Sequence, residues 1–330
     1  MILKNPNMFE EDYVPDTITG RTKEIQEIVG TIQPLLEKMK SDNLFIYGPT
    51  GVGKTLCVTH VLKNLSEMSS KVTGVYINCW VQRTRPAVLY EIIKSVGDFS
   101  PRRGLSGDEI MEELNKCLSS YWGVVVVLDE IDKTKDKEVI YDLLRIIKTR
   151  VIIIGLSNLN SFEMDQRILS AYSPRKIEFR GYSVDEIKGI LNERAKKALY
   201  PGSYDDDVIG LCAAIGYNSG GDARVALKIL FSSAKEAQLK NLNKIDIATV
   251  QKIKEKTILI RRDSDDLEGL EKNIYDFIGI GKTSKEIENQ FPQVTGRTIR
   301  NILKKLGEKN MIKKIRLEGK GNRFRYVKVV

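Results

Sequence analysis

Spacing of the apolar residues divides the chain into three stretches of different rhythm. Residues 24–39 carry Ile25, Ile28, Val29, Ile32, Leu35, Leu36 and Met39 at helical intervals, which predicts an amphipathic helix with a bend at Pro34. Four short apolar runs follow, Leu44–Tyr47, Val72–Asn78, Val124–Leu128 and Val151–Ile154, alternating with helical segments. Runs this short, rich in β-branched residues and without polar alternation, suit strands buried on both faces of a parallel sheet. The alternation predicts an α/β fold with a doubly wound parallel sheet up to about residue 178.

The rhythm changes after Phe179. Ser183-Val184-Asp185-Glu186 has the pattern of a capping box, and Pro201-Gly202 should stop the helix it opens. Helical stretches around 205–215, 222–240 and 246–256 follow with no strand between them, an all-helical second domain. The polar stretch Arg261–Glu268 reads as a linker or domain join. Beyond it the order is three helices and a hairpin. Ile274, Phe277 and Ile278 mark the first helix, and Thr283-Ser284-Lys285-Glu286 starts the second. The third, 295–307, carries Ile299, Ile302, Leu303 and Leu306 on one face and Arg297, Arg300, Asn301 and Lys304 on the other. Strands at Ile312–Leu317 and Arg323–Val329 are joined by Glu318–Asn322. That order predicts a winged helix. The expected boundaries are 1–179, 180–262 and 263–330.

A length of 330 residues accommodates two or three such domains, and 29% charged residues in regular apolar patterning exclude wholesale disorder. No segment approaches ~18 uninterrupted apolar residues, so no membrane-spanning helix is expected. The first residues, MILKNPNMFEEDY, are polar and acidic rather than signal-like, which makes a cytoplasmic protein the expectation. Cys57, Cys79, Cys117 and Cys212 are scattered, and His60 is the only histidine. A zinc site or a histidine-dependent triad is thereby excluded, and reduced, buried cysteines are expected. The net charge of +9 is concentrated at the end: residues 294–330 hold twelve Lys and Arg against Glu308 and Glu318. Such asymmetry points to a polyanion and a nucleoid association; a solvated basic surface is the alternative.

The candidate chemistry begins at Gly48-Pro49-Thr50-Gly51-Val52-Gly53-Lys54-Thr55, which matches GxxxxGK[ST] between a strand and a helix. In that setting backbone N–H groups wrap phosphate oxygens, Lys54 reaches the β- and γ-phosphates, and the Thr55 hydroxyl binds Mg²⁺. Val124–Leu128 delivers Asp129 and Glu130 at a strand tip, where ligands of open parallel sheets bind. Asp129 is the second candidate for the metal, and Glu130 the candidate for polarising water; a pair of acids starting the next helix is the plain alternative. Asn158, in Gly155-Leu156-Ser157-Asn158, can hydrogen-bond a γ-phosphate and the water, or simply make a turn. Arg167 and Arg224 are, by chemistry alone, no more than surface arginines.

Together these motifs resemble the archaeal replication-initiator family of AAA+ ATPases, akin to origin-recognition-complex subunits and Cdc-type helicase loaders. The resemblance covers nearly the whole chain: phosphate loop, LDEID, GLSN, a helical lid with GGDAR, and the terminal winged helix. It implies that Asn158 is a first sensor, that Arg224 is a second sensor acting in cis, and that Arg167 is an arginine finger acting in trans. It implies an adenine-pocket entrance at Asp12-Tyr13-Val14-Pro15-Asp16 with Arg21, and lid-side nucleotide contacts from Tyr182 and Arg194. Tyr182 as a half-buried hinge aromatic is the alternative. Asn78-Cys79 before a helix start at Val81–Leu89 resembles the initiator-specific region. Gln166 and Gly181 stand where relatives often have proline.

The expected activity is slow ATP hydrolysis used as a switch, with ATP/ADP and Mg²⁺ as cofactors. The expected partners are double-stranded origin DNA, the replicative helicase and paralogous initiator subunits. Thr295, Arg297, Thr298, Arg300 and Asn301 are the candidates for groove reading, and Lys320, Asn322 and Arg323 for the wing. Arg102-Arg103-Gly104 is either a second DNA contact or a solvated loop. Two other readings stay open: a winged-helix transcriptional regulator that keeps ATP or ADP as a structural ligand, and a stress or mobile-element ATPase of the same build.

Overall fold

The computed structural model describes residues 1–10, 13–97, 107–255, 270–279, 281–291, 294, 296–316 and 324–329. Asp12, Arg102-Arg103-Gly104, the linker Arg261–Glu268, Thr295, Lys320, Asn322 and Arg323 lie outside the described residues. The structure has two compact units: Lys4–Pro201 with Ile209–Lys228, and Met1–Leu3 with Gly202–Val208 and Ile229–Val330.

The first unit is built on a five-stranded sheet, β1 (Leu44–Tyr47), β2 (Val72–Asn78), β3 (Gly123–Asp129), β4 (Arg150–Ser157) and β5 (Arg175–Glu178), in the order β2-β3-β4-β1-β5. Every pairing is parallel, with Leu44 opposite Ile154 and Asn78 opposite Asp129. Successive residues serve opposite layers, as the period of a strand demands. Phe45, Val126, Leu128 and Ile153 pack with α3 (Arg85–Val96), α4 (Gly107–Leu118), α5 (Glu138–Arg145) and α6 (Gln166–Tyr172). Leu44, Ile46, Val125, Val127 and Ile154 pack with α1 (Thr22–Leu36) and α2 (Lys54–Met68).

Three expectations are corrected. The first helix ends at Leu36, because Lys38 turns into the left-handed region at φ 61°, so Met39 belongs to no helical face. The helix after Asn78 begins at Arg85 rather than Val81; Asn78 first makes a turn by accepting from the Trp80 N–H at 2.8 Å. The fifth strand is additional: β5 buries only Ile177 and gives no apolar run to read.

The capping box is present as expected, with Ser183 and Glu186 reciprocally bonded at the start of α7 (Val184–Ala198). Helices α8 (Asp206–Asn218), α9 (Ala223–Leu239) and α10 (247–255) follow, and no strand interrupts them among the described residues.

In the second unit α11 (Leu270–Ile278), α12 (Ser284–Gln290) and α13 (Gly296–Glu308) pack on a small antiparallel sheet. Its strands β6 (Lys282–Thr283), β7 (Ile312–Arg316) and β8 (Phe324–Lys328) run in the order β6-β8-β7. Ile274, Ile287, Ile299, Leu303 and Leu306 form its core. This is the winged-helix arrangement read from the pattern. No helix among the described residues is long and apolar enough to cross a membrane. Cys57, Cys79 and Cys212 are buried thiols, and Cys117 is half-buried.

Candidate nucleotide site and basic helix

The strand order creates the site. β4 lies between β1 and β3, so the loop after β4 falls between the glycine loop after β1 and the carboxylates ending β3. In the glycine loop Gly51 (φ 73°) and Gly53 (φ 88°) adopt left-handed backbone that side chains resist. A Cβ on Gly51 would come within 1.9 Å of Asp222 Oδ1. Gly53 then starts α2 with no side-chain cap, so the first N–H groups of that helix face the loop.

Lys54, 7% exposed, donates to the Gly48 and Pro49 carbonyls at 2.7 Å each and to Asn158 Oδ1 at 2.9 Å. Burial, with Arg224 adding to it, lowers its pKa from 10.5 to about 8 against the pull of Asp129. The Thr55 hydroxyl donates to Asp129 Oδ2 at 2.7 Å, and Asp129 Oδ1 accepts from the Glu130 N–H at 2.9 Å. Glu130 sits in left-handed backbone at φ 53°, a costly conformation for a non-glycine residue of the kind concentrated at functional sites. Burial, Asp129 and Asp132 raise its pKa; Lys133 and Arg224 oppose them. Asp132 in turn accepts from Ser157 Oγ at 2.6 Å, tying the β3 tip to the residue before Asn158. Hard oxygen donors at Thr55 and Asp129 suit Mg²⁺, and among the described residues no cluster of His, Cys, Asp and Glu offers a rival metal site.

Around this centre Asp222 caps α9, accepting from the Arg224 N–H at 2.8 Å, while the Ala223 N–H donates to the Gly51 carbonyl at 3.2 Å. The lid helix thus starts on the glycine loop, and the Arg224 charge is felt at Lys54 and Glu130. Tyr182 is 2% exposed, with the Arg21 guanidinium 4.0 Å over its ring. Burial pushes its pKa to about 12 despite that cation. Arg21 also donates to the Val52 carbonyl at 3.1 Å and to Glu24 at 2.6 Å, fastening the back of the loop.

Two expected members lie elsewhere. Arg194 donates to the Met8 and Tyr13 carbonyls at 2.6 and 3.2 Å and covers the Tyr13 ring, so it holds the segment carrying Val14 and Pro15. Arg167 is exposed and pairs with Glu138 at 2.7 Å beside Tyr141. Residues that motif reading missed include Tyr76, whose hydroxyl donates to Asp129 Oδ2 at 2.7 Å, together with Ser157 and Glu24. None of these carries a local signature. Asp222 could have been found as a capping residue, because it directly precedes a helix.

In the second unit α13 buries Ile299, Ile302, Leu303 and Leu306 and exposes Arg297, Thr298, Arg300, Asn301 and Lys304. Arg300 pairs with Glu288 at 3.4 Å and Lys305 with Glu271 at 2.6 Å, so part of the charge serves to brace the helix. Lys313, Lys314 and Arg316 on β7 and Arg325 on β8 add exposed cations.

Comparison with known proteins matches residues 38–162 to an AAA domain and 188–255 to the Cdc6 AAA+ ATPase-type lid domain. The ORC1-type DNA replication protein 1 of Archaeoglobus fulgidus is 37% identical over 264 residues, 76% of this chain and 64% of that protein. The ORC1-type DNA replication protein of Pyrococcus horikoshii is 35% identical over 273 residues, 77% of this chain and 65% of that protein. The chain spans less than two thirds of the length of these relatives. The solved structure of the Aeropyrum pernix ORC1 protein in complex with DNA aligns at a TM-score of 0.71 and 26% identity, over 99% of this chain and 94% of that one.

Proposed function

Because the chain belongs to the Orc1/Cdc6 family of AAA+ proteins, we propose that it is a nucleoid-associated replication initiator. In this reading it binds and slowly hydrolyses ATP, binds double-stranded origin DNA, and helps to recruit or load the replicative helicase. The observation that carries the reading is the joining of separate motifs in one constellation: Lys54 to Asn158 at 2.9 Å and Thr55 to Asp129 at 2.7 Å.

Chemistry follows from the residues. Lys54 exchanges its two loop carbonyls for β- and γ-phosphate oxygens, while the N–H groups opening α2 take the remaining phosphate charge. Thr55 and Asp129 would hold Mg²⁺, which when bound neutralises charge on the phosphates. Glu130 orients the attacking water and accepts its proton; the raised pKa makes it a stronger base than an exposed glutamate. Asn158 hydrogen-bonds the γ-phosphate, and Arg224 stabilises developing charge from the same chain. Arg167 does so for a neighbouring copy or paralogue. Val14, Pro15, Arg21 and Tyr182 line the base end, with Arg194 acting through the segment it anchors.

Duplex DNA is bound by the exposed face of α13, through Arg297, Thr298, Arg300 and Asn301, with the wing alongside. The likeness to the A. pernix ORC1 structure, which contains DNA, supports DNA binding, and the exposed cations of α13 are what favour that face.

The test is ATP turnover measured with and without duplex DNA, beside Glu130→Gln, combined with mapping of genomic binding sites. The expected result is slow turnover in the parent, ATP bound but not cleaved in Glu130→Gln, and occupancy at origins. No turnover in either setting, with occupancy at promoters, would replace this reading by a regulator that keeps nucleotide as a structural ligand.

A further inference from the structure

We propose that Tyr76 is a positioning residue for the Asp129 carboxylate and, through it, for the divalent cation that accompanies nucleotide; the proposal rests on the function argued above.

Asp129 is 8% exposed and accepts from three directions. The Thr55 and Tyr76 hydroxyls each lie 2.7 Å from Oδ2, and the Glu130 N–H lies 2.9 Å from Oδ1. The donors come from α2, from β2 and from the chain just beyond β3, and three such donors fix both the plane and the rotamer of the carboxylate. β2 pairs in register with β3, Asn78 opposite Asp129, so Tyr76 stands one same-face position back and reaches forward along the sheet. Its ring packs against the apolar layer beneath α2, which holds the phenol in place.

The arrangement answers a shortage of donors. Thr55 has one hydroxyl, and its oxygen is wanted by the cation at the moment that Asp129 must also face that cation. Were Thr55 the sole side-chain anchor of Oδ2, drawing it toward a metal would loosen the carboxylate. Tyr76 supplies a second anchor that a metal does not compete for. Hydrogen-bond partners of metal-binding groups are worth about 10- to 100-fold in metal affinity.

The test uses the full chain and Tyr76→Phe, which keeps the ring and removes the donor. ADP binding is titrated calorimetrically in EDTA and then across a magnesium series. Mn²⁺ bound in the ADP complex is followed separately by electron paramagnetic resonance. The expected result is an ADP affinity in EDTA unchanged within about twofold, with the magnesium and manganese midpoints raised about tenfold or more. In an Asp129→Asn background the same Tyr76→Phe change should no longer move the midpoints. Unchanged midpoints in Tyr76→Phe, an equal loss with and without metal, or a full additional loss in the Asp129→Asn background would each overturn the proposal. Absence of ADP binding, or of any metal dependence, in the parent chain would instead overturn the nucleotide-site reading itself.

Discussion

Replacing Lys54 by Met removes a charge and keeps most of the apolar stem, and the structure predicts opposite effects on binding and on stability. The Lys54 ammonium is buried against two carbonyls and an amide oxygen. Lowering its pKa from 10.5 to about 8 disfavours the charged form by about 3 kcal/mol. Pro49 and Thr50 beside it are exposed, and screening by water reduces the net effect to about 1–2 kcal/mol. The folded protein binds fewer protons at this amine than the unfolded chain does between those two values. Stability from this group is therefore fully present above 10.5 and is lost as pH falls through about 8. Near pH 7 the wild-type protein carries the whole cost.

Lys54→Met should accordingly unfold at higher urea concentration than wild type near pH 7, by about 1–2 kcal/mol, and the advantage should shrink toward zero near pH 10.5. ADP at 100 times its Kd should add about 2.7 kcal/mol to the wild type and nothing to the variant. A variant less stable than wild type at both pH values would refute the reasoning. It would mean that the three hydrogen bonds outweigh the cost of burying the charge.

Other outcomes follow from single contacts. Ser183→Ala removes one half of the capping box on α7 and should cost about 1 kcal/mol in urea unfolding. Tyr172→Phe removes a hydroxyl that donates to the Leu44 carbonyl and accepts from the Gly155 N–H at 3.1 Å, between β1 and β4. It should cost about 1–3 kcal/mol and accelerate amide exchange at Gly155. Arg297→Ala should weaken duplex binding by about 1–3 kcal/mol with relaxed specificity if the guanidinium reads a base. If it contacts phosphate, the loss should be uniform across sequences and the salt slope should fall by about one.

Most of the candidate nucleotide site is legible because its motifs encode local backbone. Glycines that must turn left-handed, a lysine and threonine opening a helix, and carboxylates ending an apolar strand are constraints written within a few residues of one another. The inner strands β1, β3 and β4 are legible for the same reason, each carrying a contiguous buried run, and the edge strand β2 is legible from its apolar residues, of which Val72, Val75 and Ile77 are buried. β5 is not, because it is four residues long and buries Ile177 alone, which leaves no period to detect. Tyr76 is not legible, because a tyrosine in a strand reads as packing; only the register of β2 with β3 brings its hydroxyl to the Asp129 carboxylate.

Arg194 and Arg167, two of the arginines whose roles the resemblance implies, separate on energetic grounds. Arg194 is 6% exposed, and its partners Met8 and Tyr13 lie 186 and 181 residues away, beyond the reach of any local pattern. Releasing it to touch a nucleotide would break two hydrogen bonds from a charged donor to half-buried carbonyls, at about 1.5–3 kcal/mol each, so its contribution is to hold the segment that carries Val14 and Pro15. Arg167 is bound differently. It and Glu138 are 58% and 47% exposed, and an exposed pair of that kind is worth about 0.2–1 kcal/mol. In the function proposed above, a γ-phosphate on an adjoining subunit would outweigh that cost through a charge-assisted contact. The salt bridge to Glu138 is thus cheap to break, and it does not stand against the trans role proposed for Arg167.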